Sequence, residues 1–243
     1  AVNFNQPIGD WDVSEVVDFQ KTFCNAASFN QPIGKWNTSK ANSMDYMFYE
    51  ARDFNQPIGA WDTSKVEDMS YMFRNATIFN QPIGGWDISR VEDMQDMFRD
   101  TLAFDQPLCS WNTSRVRNMD SMFEDAVAFD QPLCSWDTSQ VRYMNEMFRG
   151  ATVFNQPIGD WDTSMAIMMR GMFEGATAFN RNVSSWSLYS ADPESKQYLQ
   201  GYTDGRDLRM RMNAIMDEEV NATEASTHAS VVDAVFAFHR INV

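Results

Sequence analysis

The chain has 243 residues, with 19 basic and 34 acidic side chains and a formal net charge of −15. That balance argues against nucleic acid, whose affinity comes mainly from Lys and Arg neutralising phosphates, and against an anionic membrane surface. No apolar run approaches the roughly 18–20 residues of a transmembrane helix, three cysteines are too few for a disulfide scaffold, and two histidines leave little for metal or general-base chemistry.

Residue 1 is Ala rather than Met, which suggests a processed or trimmed product. The chain opens directly on a repeat at Ala1-Val2-Asn3-Phe4, without a polar cap, so either further repeats upstream, the favoured expectation, or a partner covering this end is expected. Phe recurs at 4, 29, 54, 79, 104, 129, 154 and 179, and Trp at 11, 36, 61, 86, 111, 136, 161 and 186. The period is 25, with no insertion across eight copies. A fixed period between 20 and 29 residues predicts a leucine-rich-repeat-like α/β solenoid.

Residues 58–79, IGAWDTSKVEDMSYMFRNATIF, show one copy. Trp61 and Thr63 alternate around Asp62 as a short parallel strand would, with the first two facing inward. Ser64 is placed to cap a helix N-terminus. Val66, Met69, Met72, Phe73 and Ala76 then predict a short helix with one apolar stripe, ending near Asn75. Asn80-Gln81-Pro82 is the turn into the next copy. Twelve of the 17 methionines fall on the stripe, which reads as core rather than as an adaptable binding surface. Eight such rungs, paired at about 4.8 Å, would give a strand face of roughly 35–40 Å.

The outward strand position carries Asp12, Asn37, Asp62, Asp87, Asn112, Asp137 and Asp162. Stacked carboxylates repel unless bridged, so this column could gather cations or a basic protein face, with Asp10/Asp12 and Asp160/Asp162 as Ca²⁺-type pairs. The alternative is an Asx-type bond from each side chain to the backbone two residues on, which the exchange of Asp for Asn favours. Beside it, Lys40, Lys65, Arg90 and Arg115 form a basic run that, with the Asp column, is the candidate binding face; salt pairing along the stack is the alternative. The Asn5 column reads as a structural ladder at the corner.

Cys109 and Cys134 replace Gly in adjacent copies and lie within reach of a disulfide, which would imply an oxidising compartment; two small thiols filling a glycine slot is the alternative. Of five N-x-[ST] sequons, Asn75 and Asn221 are the candidate glycosylation sites. The repeat decays at Asp192-Pro193. We therefore expect a solenoid over 1–188 and a mainly helical cap or docking segment over 189–243. In the latter, Val231, Val235, Phe236 and Phe238 form a candidate docking helix.

The unit F-[ND]-Q-P-[IL]-[GC]-x-W-[DN]-x-S-x-V-x-x-M-x-x-M-F-x-x-A resembles the BspA-type leucine-rich repeat, also called the DUF285 or mycoplasma lipoprotein-associated repeat, over residues 1 to about 188. The resemblance implies protein recognition or adhesion at a cell surface or in a secreted protein, and brings no catalytic residues with it. No nucleophile–base–orienter set, phosphate loop or His cluster stands in the sequence, so no enzyme, cofactor or metal is expected. The expected partner is a protein, with a glycan as a second class. The competing expectation is a structural subunit of a larger assembly, organellar or intracellular, held through its ends and its C-terminal helices.

Overall fold

The computed structural model describes residues 2–133 and 135–203. They belong to one compact unit, Ala1–Gly205, in which consecutive copies stack in register. The inward side chains form continuous columns. Met69, Met72, Phe73, Ala76 and Phe79 are fully buried, as are their equivalents Met94, Met97, Phe98 and Phe104. Like packs on like: Phe73 lies 5.5 Å from Phe48 and 5.7 Å from Phe98, ring centroid to centroid, and Trp61 lies 6.4 and 6.5 Å from Trp36 and Trp86. Within a copy, Phe73 stacks on Phe79 at 4.0 Å. Each buried Phe removes some 150–250 Å² of mostly apolar surface from water. That is the main gain from adding a copy.

Polar columns close the stack at its corners. The Trp61 indole N–H donates to the Ile33 carbonyl of the preceding copy (3.1 Å), and the Thr63 hydroxyl donates to the Asp87 carbonyl of the next (2.9 Å). The Asn55 side-chain oxygen accepts the Asn80 backbone N–H (3.0 Å) and the Gln81 side-chain amide (2.9 Å); the backbone bond repeats from Asn5 to Asn155, with Asp at 105 and 130. The ladder expected at this corner is therefore present.

Two expected elements lie elsewhere. Trp61 and Thr63 are buried and Asp62 is exposed, as a strand there would have them, but the parallel bridges run through Asp18, Ser43, Asp68, Asp93, Asn118, Tyr143 and Met168. Residues 66–76, expected as a helix, hold the bridge at Asp68 and a run of turns over 70–75, and the one helix among the described residues is α1 (Pro193–Thr203). The cause is where the N–H groups point. Those of Met69, Tyr71, Phe73 and Asn75 donate to Asp93, Gln95, Met97 and Arg99 of the next copy, at 2.7–3.1 Å. Met72, Arg74 and Ala76 donate three residues back, closing tight turns. Tyr71 and Asn75 have φ of +59°, which no right-handed helix allows. Each turn closes three residues back and the next begins two residues on, and the run places Met69, Met72 and Ala76 on the core side at a spacing that mimics a helix. Ser64 accordingly caps no helix.

The stack ends on α1. Asp192 caps it, its carboxylate accepting the Ser195 N–H at 2.6 Å, and Pro193 fills the first helical position, where no N–H is needed. In the seventh copy the Met169 N–H donates to the Ser195 hydroxyl (2.8 Å) and the Phe173 N–H to the Tyr198 hydroxyl (2.9 Å). Side chains of α1 thus replace the carbonyls that a further copy would offer, and buried Leu199 covers the apolar end.

The glycine two residues before Trp sits under the next copy's backbone. A Cβ on Gly59 would lie 2.4 Å from the Pro82 carbonyl oxygen, whereas one on Gly85, in the neighbouring column, meets nothing within 4 Å. Gly59→Ala should therefore lower stability by about 1–3 kcal/mol. Gly85→Ala should leave it unchanged or raise it by about 0.5–1 kcal/mol, since only the unfolded chain loses freedom. Urea denaturation of both variants measures the contrast.

Candidate interaction faces

The Asp column is exposed but tied to its own backbone. The carboxylate oxygens of Asp62, Asp87, Asp137 and Asp162 accept the N–H of Ser64, Ser89, Ser139 and Ser164 at 2.9–3.0 Å. Asp12, Asn37 and Asn112 make the same bond to Ser14, Ser39 and Ser114. The Ser64 and Ser164 hydroxyls, followed by their N–H groups, hold the Asp62 and Asp162 carboxyls below the usual carboxylate range. These are the Asx-type turns weighed as the alternative to a cation ladder. Among the described residues no group of three or more His, Cys, Asp or Glu is arranged around a metal position.

The basic run beside it is also exposed. Lys40 pairs with Glu15 (2.5 Å), and the Lys65 ammonium donates to the Ser39 carbonyl (2.9 Å). Arg90 and Arg115 make no ion pair among the described residues. In the column two residues on, Arg117 pairs with Glu92 at 2.9 Å.

A second face, along the parallel bridges, was hidden in the sequence by the expected helix. It carries the side chains of residues 68–75 and their equivalents that lie outside the apolar core, among which Ser70, Asp96, Ser121 and Glu124 are buried. At the left-handed position these are Lys21, Tyr46, Tyr71, Asp96, Ser121, Glu146 and Gly171. Three residues on they are Cys24, Tyr49, Arg74, Arg99, Glu124, Arg149 and Glu174. Tyr46 stacks on Tyr71 at 4.3 Å, Lys21 sits 4.9 Å from the Tyr46 ring, and Arg74 lies 5.8 Å from both Tyr49 and Tyr71. Then the charges alternate. Asp96 lies 3.1 Å from Arg74 and 3.4 Å from Arg99, Glu124 is 2.9 Å from Arg99, and Arg149 reaches Glu146 at 3.3 Å. Burial raises the Asp96 and Glu124 carboxyls, partly offset at each by its arginines. The signals for this face were the glycines and asparagines at the left-handed slots, Gly171, Gly175, Gly150, Asn75 and Asn25.

Closer to the bridges, Asp93 accepts the Gln95 N–H (2.8 Å) and the Asn118 amide (3.1 Å), and Asp120 accepts the Asn145 N–H (2.6 Å). No cation pairs with either among the described residues. Burial pushes the Asp120 carboxyl up to about 6, with Asp96 and Asp93 adding repulsion and the Asn145 bonds opposing.

Cys109 is half-buried and its thiol donates to the Pro132 carbonyl (3.0 Å); its expected partner, Cys134, lies outside the described residues. Asn75 is half-buried and its amide donates to Glu50 (3.3 Å). The other candidate glycosylation site, Asn221, and the candidate docking residues Val231, Val235, Phe236 and Phe238 also lie outside the described residues. No helix among the described residues is long and apolar enough to cross a membrane.

Two overlapping stretches, residues 1–110 and 101–204, match the family described as "Mycoplasma protein of unknown function, DUF285". No curated protein matches the chain.

The buried carboxyls give stability a pH dependence of definite sign. Asp120 titrates higher in the folded chain, about 6, than its ordinary value of 3.8, so its ionised form favours unfolding. Its contribution is greatest below 3.8 and is lost as pH rises through 6; Asp93 acts in the same direction. The denaturation midpoint should fall between pH 5 and about pH 7. In Asp120→Asn, which keeps an acceptor for Asn145, the fall should shrink and the midpoint at pH 7.5 should rise.

Proposed function

The chain belongs to the DUF285 family, and we propose that it is a leucine-rich-repeat-like solenoid acting as a non-enzymatic protein-recognition module, displayed at a cell surface or secreted. One observation carries this reading. Along a stack whose inward residues barely change, the left-handed position of the bridge face runs Lys21, Tyr46, Tyr71, Asp96, Ser121, Glu146 and Gly171, changing at every step but one. A spacer needs only the inward columns. Tyr and Arg, which dominate the contact energy of protein interfaces, are gathered on the bridge face at Tyr46, Tyr49, Tyr71, Arg74 and Arg99. The surface location rests on the resemblance to BspA-type repeats. The alternative of a structural subunit rests on the C-terminal segment beyond residue 203, which lies outside the described residues.

Cross-linking capture from the source cells tests recognition. Baits would be the wild type, a Tyr46→Ser/Tyr71→Ser/Arg99→Ser variant, and a Lys65→Glu/Arg90→Glu/Arg115→Glu variant, each checked for folding by circular dichroism. A discrete set of proteins should be held by the wild type and reduced at least tenfold by one of the two variants. Equal capture by all three and by heat-denatured bait would defeat the reading.

A further inference from the structure

Ile78, Leu102, Val127 and Val153, one from each of four consecutive copies, form an apolar strip 37–46% exposed. The copy before them holds Arg52 and Asp53 at the same two positions, so stacking asks for no apolar group there. In the two middle copies carboxylates bracket the strip: Asp100 and Asp125 just before it in the chain, Asp105 and Asp130 just after. Asp105 and Asp130 take the corner slot that Asn fills in the other copies. The ladder uses one oxygen of each, which accepts an N–H and a Gln amide of the next copy at 2.8–3.1 Å, a task Asn performs equally. The Asp125 carboxylate has no hydrogen bond or ion pair among the described residues. Asp100 lies 3.6 Å from Arg99, yet burial, and then repulsion from Asp125, raise its carboxyl. No Lys or Arg stands at 100–114 or at 125–139. In the column beside the strip, Arg74, Arg99 and Arg149 are held by Asp96, Glu124 and Glu146, and Arg90 and Arg115 lie beyond the tryptophans. The strip is therefore apolar along its middle and net anionic at its borders.

We propose that this strip is the docking surface for a basic amphipathic helix of a partner protein, its apolar face on Ile78, Leu102, Val127 and Val153 and its flanking Lys or Arg on Asp105, Asp125 and Asp130. The inference rests on the recognition reading and names the partner's chemistry. Charge complementarity selects a cationic occupant and disfavours a second copy of this chain, which would set like charges together. The apolar middle selects a segment with an apolar face over a simple polycation. The spacing selects a helix. The neighbouring buried rings of Phe79, Phe104, Phe129 and Phe154 stack at 6.0–6.1 Å, so three steps make the strip about 18 Å long. That is about twelve residues of α-helix, whose pitch of about 5.4 Å sets one apolar side chain per turn against roughly one per copy. A helix also satisfies its own N–H and C=O groups, which an extended segment laid on apolar side chains would leave unpaired.

The probe is a fluorescein-labelled peptide, KLKALKKALKKLAKKL, which places leucines on one helical face and lysines on its flanks, read by anisotropy against the full chain. Its control has glutamine in place of every lysine. The lysine peptide should bind at least about tenfold more tightly than the control. Because any cationic peptide is drawn to an acidic chain, two triple variants of equal charge locate the site. Asp105→Asn/Asp125→Asn/Asp130→Asn keeps the corner ladder and should weaken binding about tenfold or more, whereas Asp62→Asn/Asp137→Asn/Asp162→Asn keeps the Asx-type turns and should change it less than about twofold. Leu102→Ser/Val127→Ser should weaken it about three- to tenfold. An unchanged thermal midpoint in each variant shows that the fold is intact. Absence of binding, equal affinity for both peptides, or equal loss in the two triple variants would overturn the assignment. If the peptide fails while capture still depends on Tyr46, Tyr71 and Arg99, recognition stands and only this surface is wrong.

Discussion

The backbone hydrogen bonds that step from one copy to the next fix everything else. The N–H groups of Met69, Tyr71, Phe73 and Asn75 all point toward the following copy, at alternate residues. For the chain to do this and still turn, Tyr71 and Asn75 must take left-handed conformations, at some cost for any residue but glycine. The intervening N–H groups close turns within the copy or, at Ser70, meet the Asp68 carboxylate, so the backbone N–H groups of this segment are satisfied. An extra residue in any copy would break the register of every column at once. A period of 25 held without insertion from Phe4 to Phe179 is what such coupling requires.

The columns obey a simple chemistry once register is fixed, because each side chain meets its own equivalent above and below. Aromatic and thioether groups pack well on their own kind, so Phe, Trp and Met repeat. An amide is both donor and acceptor, so Asn30, Asn55 and Asn80 repeat along the corner, each accepting from the next copy. Charges cannot repeat in this way without repulsion. Arg74 and Arg99 follow each other with Asp96 paired to both, and Arg99 is followed by Glu124, and Glu124 by Arg149. Where carboxylates do follow each other, as at Asp68 and Asp93, serine and glutamine N–H groups and the Asn118 amide support them. The outward columns thus have a physical reason to alternate in charge, but that reason does not call for the cluster of Tyr46, Tyr49 and Tyr71, nor for successive carboxylates at Asp105 and Asp130. These departures from self-complementarity are where recognition is proposed.

The period, the inward residues, the corner ladder and the Asx-type turns were legible because each depends on residue type at a fixed spacing. Asp62 two residues before Ser64 is enough to write the turn. The bridge face was not legible. Val66, Met69, Met72 and Ala76 are spaced as on a helix, and overlapping tight turns, each closed three residues back, produce the same spacing. The clue lay at the left-handed positions, but only Gly171, Gly150, Gly175, Asn25 and Asn75 announce them, whereas Lys21, Tyr46 and Glu146 take the same conformation without a sequence signature. Nor could the sequence reveal that Ser195 and Tyr198 would stand in for carbonyls, since that role exists only once Met169 and Phe173 have N–H groups left to satisfy.

The most direct measurement is the scalar coupling across a hydrogen bond, read by nuclear magnetic resonance on the isotopically labelled chain, between the Phe73 amide nitrogen and the carbonyl carbon that accepts its proton. A coupling to Met97, 24 residues ahead, is the predicted result, with companions from Tyr71 to Gln95 and Asn75 to Arg99. A coupling from Phe73 to Met69, four residues back, would mean that residues 66–76 form a helix after all. The in-register ladder between copies would then be wrong, along with the bridge face built on it.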